Sequence, residues 1–189
     1  MKPAVIARLS EEDYLESEKV AKAKHEYVAG EVFAMAGASK AHVVIAGNLF
    51  VLLRMHLRGK PCRAFISDMK VHAATSTAYY YPDVVVTCSP SDLAADAPAY
   101  YVKAPALIVE VLSESTGRID RREKLLAYQQ IDSLEHYLLV DQDTVEVEHY
   151  HRTDAGWVRD ILSAGDQLAL PMLDLTLGVD QIYEDTGLR

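Results

Sequence analysis

Cysteine is scarce in this chain, and long apolar runs are absent. The only two cysteines among the 189 residues, Cys62 and Cys88, are isolated and form no Cys-x-x-Cys spacing. This pattern predicts no disulfide framework and indicates a reducing compartment. No apolar run approaches the roughly 20 residues needed to cross a bilayer, and the N-terminus lacks the basic and apolar regions of a signal peptide. We therefore expect a cytoplasmic protein that makes no membrane contact.

Positive charge is also in short supply. The sequence has 19 lysines and arginines against 28 acidic residues, which gives a formal net charge of -9. Non-specific affinity for nucleic acid comes largely from lysine and arginine, so the composition excludes a broadly basic surface and leaves room only for a local patch. The sequence also lacks a Gly-x-x-x-x-Gly-Lys loop, which argues against a small-molecule phosphohydrolase that cradles phosphate in this way.

Apolar sequence, in contrast, is plentiful. Half of the residues are hydrophobic, which is enough for a sizeable core, and a chain of this length fits one domain. We found no internal repeat, low-complexity tract or linker. The sequence therefore predicts a single domain over residues 1–189.

Local signals predict helices and a hairpin in the first third of the chain. Ser10 is followed by three acidic residues, which is typical of a helix start. Ala29-Gly30 separates two short β-prone segments, and this arrangement predicts a hairpin. The apolar residues of 40–57 follow helical spacing, and Gly59 supplies a stop signal.

The rest of the chain indicates strands around one central helix. The predicted strands cover 63–72, 80–88, 106–112, 135–141, 144–151 and 156–162, the helix covers 120–131, and short strands or turns with a final helical turn cover 165–185. A strand, a helix and a second strand in succession predict a crossover connection after the third strand.

Two acidic side chains interrupt segments that otherwise indicate buried strands. Asp83 lies in YYYPDVVVT (79–87), and Glu110 lies in PALIVEVL (105–112). Such continuous apolar runs are typical of strands covered on both faces. Burying an unpaired carboxylate is costly unless a metal, a cation or hydrogen bonds satisfy it. Each acid therefore marks a candidate site.

A lysine-bearing helix follows the second acid. Asp120, Lys124 and Tyr128 are spaced four residues apart, so they share one face of the predicted helix. Phosphodiester hydrolysis needs a cation, an activated water and stabilisation of developing negative charge. Oxygen ligands suit magnesium or manganese. Two carboxylates and a lysine therefore indicate a metal-dependent hydrolytic site.

Motifs in a fixed order carry a resemblance along nearly the whole chain. They are EYVAGEVFAM (26–35), His42, YPDVVV (81–86), ALIVEVLSEST (106–116), Asp120 with Lys124 and Tyr128, HYLLVD (136–141) and LPMLDL (170–175). In this order they resemble the Uma family of putative restriction endonucleases, within the PD-(D/E)XK nuclease superfamily. The resemblance implies a restriction-endonuclease-like α/β fold, with a mixed central β-sheet flanked by helices.

The resemblance also implies roles for individual residues. Asp83 and Glu110 become the ligands of Mg²⁺ or Mn²⁺, and Lys124 orients or deprotonates the attacking water. The implied substrate is nucleic acid, with DNA favoured over RNA. Because nucleases of this superfamily often pair to cut both strands, a homodimer is compatible with the resemblance.

One position departs from the superfamily pattern. That pattern has a lysine two residues after the second acid, where this chain has Leu112, so Lys124 on the following helix takes its place. The resemblance adds four further site residues, which are Glu31, His42, Val111 and Tyr128. Glu26 competes with Glu31 for the role of an additional acidic ligand.

Alternatives without catalysis remain open at this stage. Glu110 and Lys124 can form a buried ion pair without metal, and Asp83 can pair with a backbone amide at a strand start. The chain is then a catalytically silent nuclease-like domain that binds a protein or a nucleic acid. His149 and His151 share one strand face, but without a third ligand they do not predict a zinc site.

Overall fold

Two sheets dominate the computed structural model, which describes residues 8–35, 37–113 and 120–188. The strands are β1 (His25–Val28), β2 (Glu31–Ala34), β3 (Arg63–Ile66), β4 (Lys70–Ala73), β5 (Ala78–Tyr80), β6 (Val84–Thr87), β7 (Tyr101–Val102), β8 (Pro105–Leu112), β9 (His136–Asp141), β10 (Glu146–Thr153), β11 (Gly156–Ser163), β12 (Gln167–Leu170) and β13 (Leu175–Gly178). The described helices are α1 (Glu11–Glu18), α2 (Lys40–His56), α3 (Pro90–Leu93), α4 (Leu125–Gln129) and α5 (Val179–Ile182). Short 3₁₀ turns cover Ala74–Ser76 and Pro171–Leu173, and a π-helical turn, Asp120–Lys124, leads into α4.

Both larger sheets are mixed. The six-stranded sheet has the order β11-β10-β9-β8-β6-β3, and the five-stranded sheet has the order β2-β1-β5-β4-β7. Within these sheets β8 pairs with β9 and β4 pairs with β7 in parallel, whereas the other pairs are antiparallel. The parallel β8–β9 pair confirms the predicted crossover. Mixed sheets flanked by helices confirm the predicted fold class.

The six-stranded sheet is covered on both faces, as its apolar strands predict. Along β8, Leu107, Val109 and Val111 belong to the core that includes residues of α2 and α5. Ile108 and Leu112 belong to a second core, which includes side chains of α4 and of the five-stranded sheet. Successive strand residues point to opposite faces, so Glu110 lies on the side of the second core.

Local capping explains where the first two helices begin. Ser10 accepts a hydrogen bond from the backbone N–H of Asp13, at 3.1 Å, and Ser39 accepts one from that of His42, also at 3.1 Å. Ala29 and Gly30 both have positive φ, at 48° and 97°, as the tight hairpin between β1 and β2 requires. The predicted helix starts and the predicted hairpin are therefore confirmed.

Two predicted strands are wrong as single elements, because the chain changes sheets within each of them. Residues 63–72 break at Ser67, whose φ is 58°, into β3 of the six-stranded sheet and β4 of the five-stranded sheet. Residues 80–88 break at Pro82-Asp83 into β5 and β6. Proline has no N–H to donate to a sheet, which explains the second break. Asp83 therefore lies at the junction between the two sheets and not inside a strand.

The cysteine prediction is also wrong. Arg63 pairs with Thr87 in the β3–β6 ladder, and the next residues outward on these two strands, Cys62 and Cys88, form a disulfide. The bond therefore joins β3 to its neighbour β6. The argument from cysteine to a reducing compartment loses its support. Within the described ranges, no helix is long and apolar enough to span a membrane.

Candidate functional site

Asp83 and Glu110 lie next to each other across two neighbouring strands. Val84 pairs with Val109, and one step further along this antiparallel register stand Asp83 and Glu110. Asp83 lies just outside β6, and its Oδ2 accepts a hydrogen bond from the N–H of Val111 at 2.7 Å. The carboxylate thus occupies a position that a strand carbonyl would otherwise fill. Pairing with a backbone amide was the non-catalytic alternative for Asp83 in the sequence analysis, and this contact is such a pairing.

His42 reaches the same carboxylate from the first turn of α2. Its Nε2 lies 2.8 Å from Oδ1 of Asp83. With the proton on Nε2, this contact is a hydrogen bond to the carboxylate and Nδ1 presents a lone pair. Nδ1 is buried and has no hydrogen-bond partner among the residues that the structure describes. A buried, unsatisfied nitrogen beside an acid is a sign of a missing partner, such as a water or a ligand.

Glu110 is held by two side chains of the segment that follows β8. Lys124 Nζ lies 3.1 Å from Glu110 Oε1, and the hydroxyl of Tyr128 donates to the same oxygen at 3.0 Å. Lys124 and Glu110 are both about 5% exposed. The prediction that Lys124 and Tyr128 share one helix face is confirmed, and the ammonium points into the protein. The side chain of Asp120 lies outside the described part of the structure.

A third acid, Glu26 of β1, contacts the same ammonium. Its Oε1 lies 2.9 Å from Lys124 Nζ and accepts a hydrogen bond from the N–H of Tyr81 at 3.1 Å. The contacting oxygens of Glu26 and Glu110 both lie within 3.1 Å of Nζ, so they are no more than about 6 Å apart by geometry. The five-stranded sheet thereby supplies one acid to a site on the six-stranded sheet.

Of the two competing acids, the structure brings Glu26 and not Glu31 to this cluster. Glu31 is exposed at the start of β2. The structure shows two groups of contacts that the β6–β8 register sets side by side. One joins Glu110, Lys124, Glu26 and Tyr128, and the other joins Asp83, His42 and the N–H of Val111. The sequence offered Glu26 only as an alternative, because its contact with Lys124 joins residues that are far apart in the chain.

An ion pair holds the π-helical turn that carries Lys124. The Nε of Arg121 lies 2.6 Å from Glu148 Oε1 on β10, and Glu148 is buried. A π-helical turn widens the helix locally and is frequent at functional sites. The turn is therefore tied to the six-stranded sheet three residues before Lys124.

Burial sets the electrostatics of the cluster. Burial, reinforced by the charge of Glu110, raises the pKa of Tyr128 well above its usual value, so Tyr128 remains a neutral donor to the carboxylate. The Tyr80 ring lies 5.6 Å from Lys124 Nζ, close enough to attract the cation. Buried charges persist only with compensating partners, and the Lys124 ammonium is such a partner for both Glu26 and Glu110.

The donor chemistry of the cluster suits a hard cation. Among the residues that the structure describes, no three His, Cys, Asp or Glu side chains stand together as a metal-binding group. Asp83 and Glu110 supply carboxylate oxygens, which are preferred by Mg²⁺, an ion that keeps several of its waters and needs only one or two carboxylates. The donor set of Asp83 and Glu110 therefore fits Mg²⁺ or Mn²⁺.

A second buried polar cluster lies elsewhere on the six-stranded sheet. His136 Nδ1 and His149 Nε2 are 2.9 Å apart, and His151 Nε2 lies 2.9 Å from Oδ2 of Asp160. These side chains line a cavity of about 490 Å³. His136 is the histidine neighbour of His149 that the sequence did not identify. Burial lowers the pKa of both His136 and His149 to about 4, so both rings are neutral near pH 7.

Comparisons with known proteins give a consistent result. Residues 11–180 match the Uma2 family model, which is described as "Putative restriction endonuclease". Two relatives from Synechocystis sp. (strain PCC 6803) are named as uncharacterized proteins. The protein slr1290 is 40% identical over 181 residues, covering 95% of this chain and 94% of its own. The protein sll1609 is 37% identical over 151 residues, covering 79% and 85%.

A solved structure shares the fold. The crystal structure of a "putative nuclease belonging to DUF820" from Anabaena variabilis matches with a TM-score of 0.75. The match covers 93% of this chain and 97% of that one, at 15% sequence identity. At this identity the likeness establishes the architecture of the chain.

Proposed function

The chain belongs to the Uma2 family, described as "Putative restriction endonuclease", and from this membership we propose that it is a metal-dependent endonuclease that hydrolyses nucleic-acid phosphodiester bonds. One observation carries the proposal. Lys124 is buried against Glu110, next to Asp83, although it comes from a helix and not from the strand position of the PD-(D/E)XK pattern. In this proposal Lys124 supplies the amine that the superfamily pattern has at the position of Leu112.

In this proposal Asp83 and Glu110 hold Mg²⁺ or Mn²⁺. The cation would polarise the scissile phosphate and lower the pKa of a water. The N–H of Val111 and the imidazole of His42 orient the Asp83 carboxylate. Tyr128 fixes one oxygen of Glu110. Carboxylates locked in this way are pre-organised, so the ligand geometry needs little rearrangement.

In this proposal Lys124 acts on the attacking water and balances the negative charge of the phosphate. Its ammonium can orient the attacking water or, after loss of a proton, act as its base. Glu26 and Glu110 both contact Nζ, and these contacts hold the amine inside the site. Glu26 is thus a positioning residue for Lys124.

The same contacts favour a second candidate function. An ammonium satisfied by two carboxylates is also what a silent nuclease-like domain would retain for stability, and such a domain would bind a nucleic acid or a protein without cleaving. The two candidates differ in whether divalent metal enters the cluster and whether a phosphodiester is cut.

Calorimetric titration with Mg²⁺ and Mn²⁺, run beside a plasmid-nicking assay, tests the proposal. We expect the wild type to bind metal and to nick DNA, Glu110→Gln to lose both, and the exposed control Glu31→Gln to retain both. A folded wild type with neither property supports the silent domain. Cleavage of RNA in place of DNA would change the substrate, and light scattering of the same samples tests the proposed homodimer.

A further inference from the structure

The outer strand of the five-stranded sheet exposes large apolar side chains. On β2 and directly after it, Val32, Phe33 and Met35 are 42%, 49% and 38% exposed, and β2 is the terminal strand of its sheet. Soluble proteins seldom leave contiguous apolar side chains open without a binding role. Packing in the core does not explain why these apolar side chains are exposed, and a binding role would.

The strand register places one of these side chains at the candidate active site. Phe33 pairs directly with Glu26 across β1 and β2. Directly opposite residues on antiparallel strands point to the same face, with their Cβ atoms about 5 Å apart. Glu26 in turn contacts Lys124 at 2.9 Å. Phe33 is therefore one cross-strand step from the residue that holds the ammonium, whereas Val32 points to the opposite face.

The local charge around this edge differs from that of the whole chain. Residues 20–40 contain three lysines and two glutamates, within a chain of net charge -9. Glu26, one of these glutamates, is already paired with Lys124. Lys22 and Lys40 precede and follow the hairpin in the sequence and are exposed, whereas Lys24 is paired with Asp68. An exposed aromatic ring in a segment that carries exposed lysines suits single-stranded nucleic acid, because bases stack on the ring and phosphates meet the cations.

We propose that Phe33 is a base-stacking platform for an unpaired nucleotide beside the scissile phosphate, and that the preferred substrate is single-stranded or locally unpaired nucleic acid. This inference rests on the proposed function, since it takes the Glu110–Lys124 cluster as the cleavage site. A second copy of the chain that paired along the free edge of β2 would extend the sheet and leave its faces open, so such pairing would not cover the Phe33 ring.

Fluorescence anisotropy with a labelled single-stranded 20-mer, in EDTA so that cleavage does not interfere, tests the platform. We expect Phe33→Ala to weaken binding about tenfold, as removal of a stacking aromatic does, and Phe33→Trp to restore it. The matched control is Val32→Ala, from the same strand and of similar exposure, which should stay within twofold of wild type. A 2-aminopurine in the strand should be quenched by wild type and not by Phe33→Ala.

Equal binding by Phe33→Ala and wild type, or equal losses in Phe33→Ala and Val32→Ala, overturns the inference. Conversion of a dimer to a monomer by Phe33→Ala, without a change in binding, also overturns it and assigns the edge to a subunit contact. The nicking assay separates the two proposals. If the wild type cleaves but binding does not depend on Phe33, the nuclease proposal stands and the stacking platform is ruled out. If binding depends on Phe33 but the wild type does not cleave, nucleotide binding at Phe33 stands and the nuclease proposal fails.

Discussion

Two of the places where the structure buries ionisable side chains satisfy them in different ways. In the Glu110–Lys124 cluster, an ammonium sits between two carboxylates. In the His136–His149 pair, two imidazoles share one hydrogen bond and lose their charge, because burial lowers their pKa to about 4. Burial shifts the pKa of an ionisable group toward its neutral form. The Glu110–Lys124 cluster keeps its charges because opposite charges lie in contact, and this is the cluster to which we assign chemistry.

Removing the ammonium should produce the largest effect on stability. We expect Lys124→Met to lower the free energy of unfolding by about 3–5 kcal/mol, because it removes the ammonium that contacts the buried Glu110 and the partly buried Glu26. Urea denaturation at pH 7 measures the loss. Lys22→Met, an exposed lysine, is the control. A loss below about 1 kcal/mol for Lys124→Met would mean that this cluster does not depend on opposite charges, and the contrast with the histidines would disappear.

The histidine pair should make stability depend on pH. The folded-state pKa of His136 and His149 lies near 4, below the value of about 6.5 for an unfolded chain. The unfolded state therefore binds more protons below pH 6.5, and stability falls as the pH decreases from about 6.5 to 4, by about 3 kcal/mol or more. The midpoint of urea denaturation, determined at several pH values between 4 and 6.5, measures this loss of stability.

A double variant isolates the contribution of the imidazoles from that of the acids. His136→Leu combined with His149→Leu replaces both partners, so no polar group is left unpaired. Carboxylates elsewhere still titrate in this variant, and only the part of the pH dependence due to the two histidines should vanish. The nearby pair of His151 and Asp160 stays in place in both proteins. An unchanged profile would contradict neutral, buried imidazoles.

A smaller effect is expected from one hydroxyl of the charged cluster. Tyr128→Phe removes the donor to Glu110 Oε1 and should cost about 1–2 kcal/mol, since Lys124 still contacts that oxygen. Thermal unfolding of the variant at pH 7 checks this value. A cost as large as that of Lys124→Met would show that hydrogen bonding, and not charge, holds Glu110.

The smallest effect separates the two competing acids. Glu31→Gln should change stability by less than about 0.5 kcal/mol, as surface substitutions usually do, whereas Glu26→Gln removes a charge from the buried cluster and weakens the hold on Lys124. Chemical denaturation and nicking of both variants, side by side, give the comparison. If Glu31→Gln abolished nicking, the cluster described above would be incomplete.

Elements with a strong local signal could be predicted from the sequence. The Ser10 cap, the Ala29-Gly30 hairpin and the parallel crossover after β8 depend on short-range rules, and the structure has all three. The change of sheet at Ser67 and Asp83 could not be predicted from apolar periodicity, because apolar residues stand on both sides of each break. Pro82 was the available signal, since it cannot donate to a ladder.

The candidate site was predictable where a motif marks it and not where it depends on tertiary pairing. Asp83, Glu110 and Lys124 come from an ordered set of motifs, whereas the contact of Glu26 with Lys124 needs the five-stranded sheet in place. The Cys62–Cys88 disulfide also depends on tertiary pairing. The two cysteines are 26 residues apart in sequence, and only the β3–β6 register makes them neighbours.

The change of sheet at Pro82-Asp83 has a consequence for how the protein folds. The chain passes directly from β5 of the five-stranded sheet to β6 of the six-stranded sheet, so the candidate site draws on both sheets. Asp83 contacts Val111 within the six-stranded sheet, whereas Glu26 reaches Lys124 from the five-stranded sheet. The contact of Glu26 with Lys124 therefore requires both sheets in place, and contacts between residues so far apart in sequence are slow to close. A chain in which only one of the two sheets has formed would lack this contact.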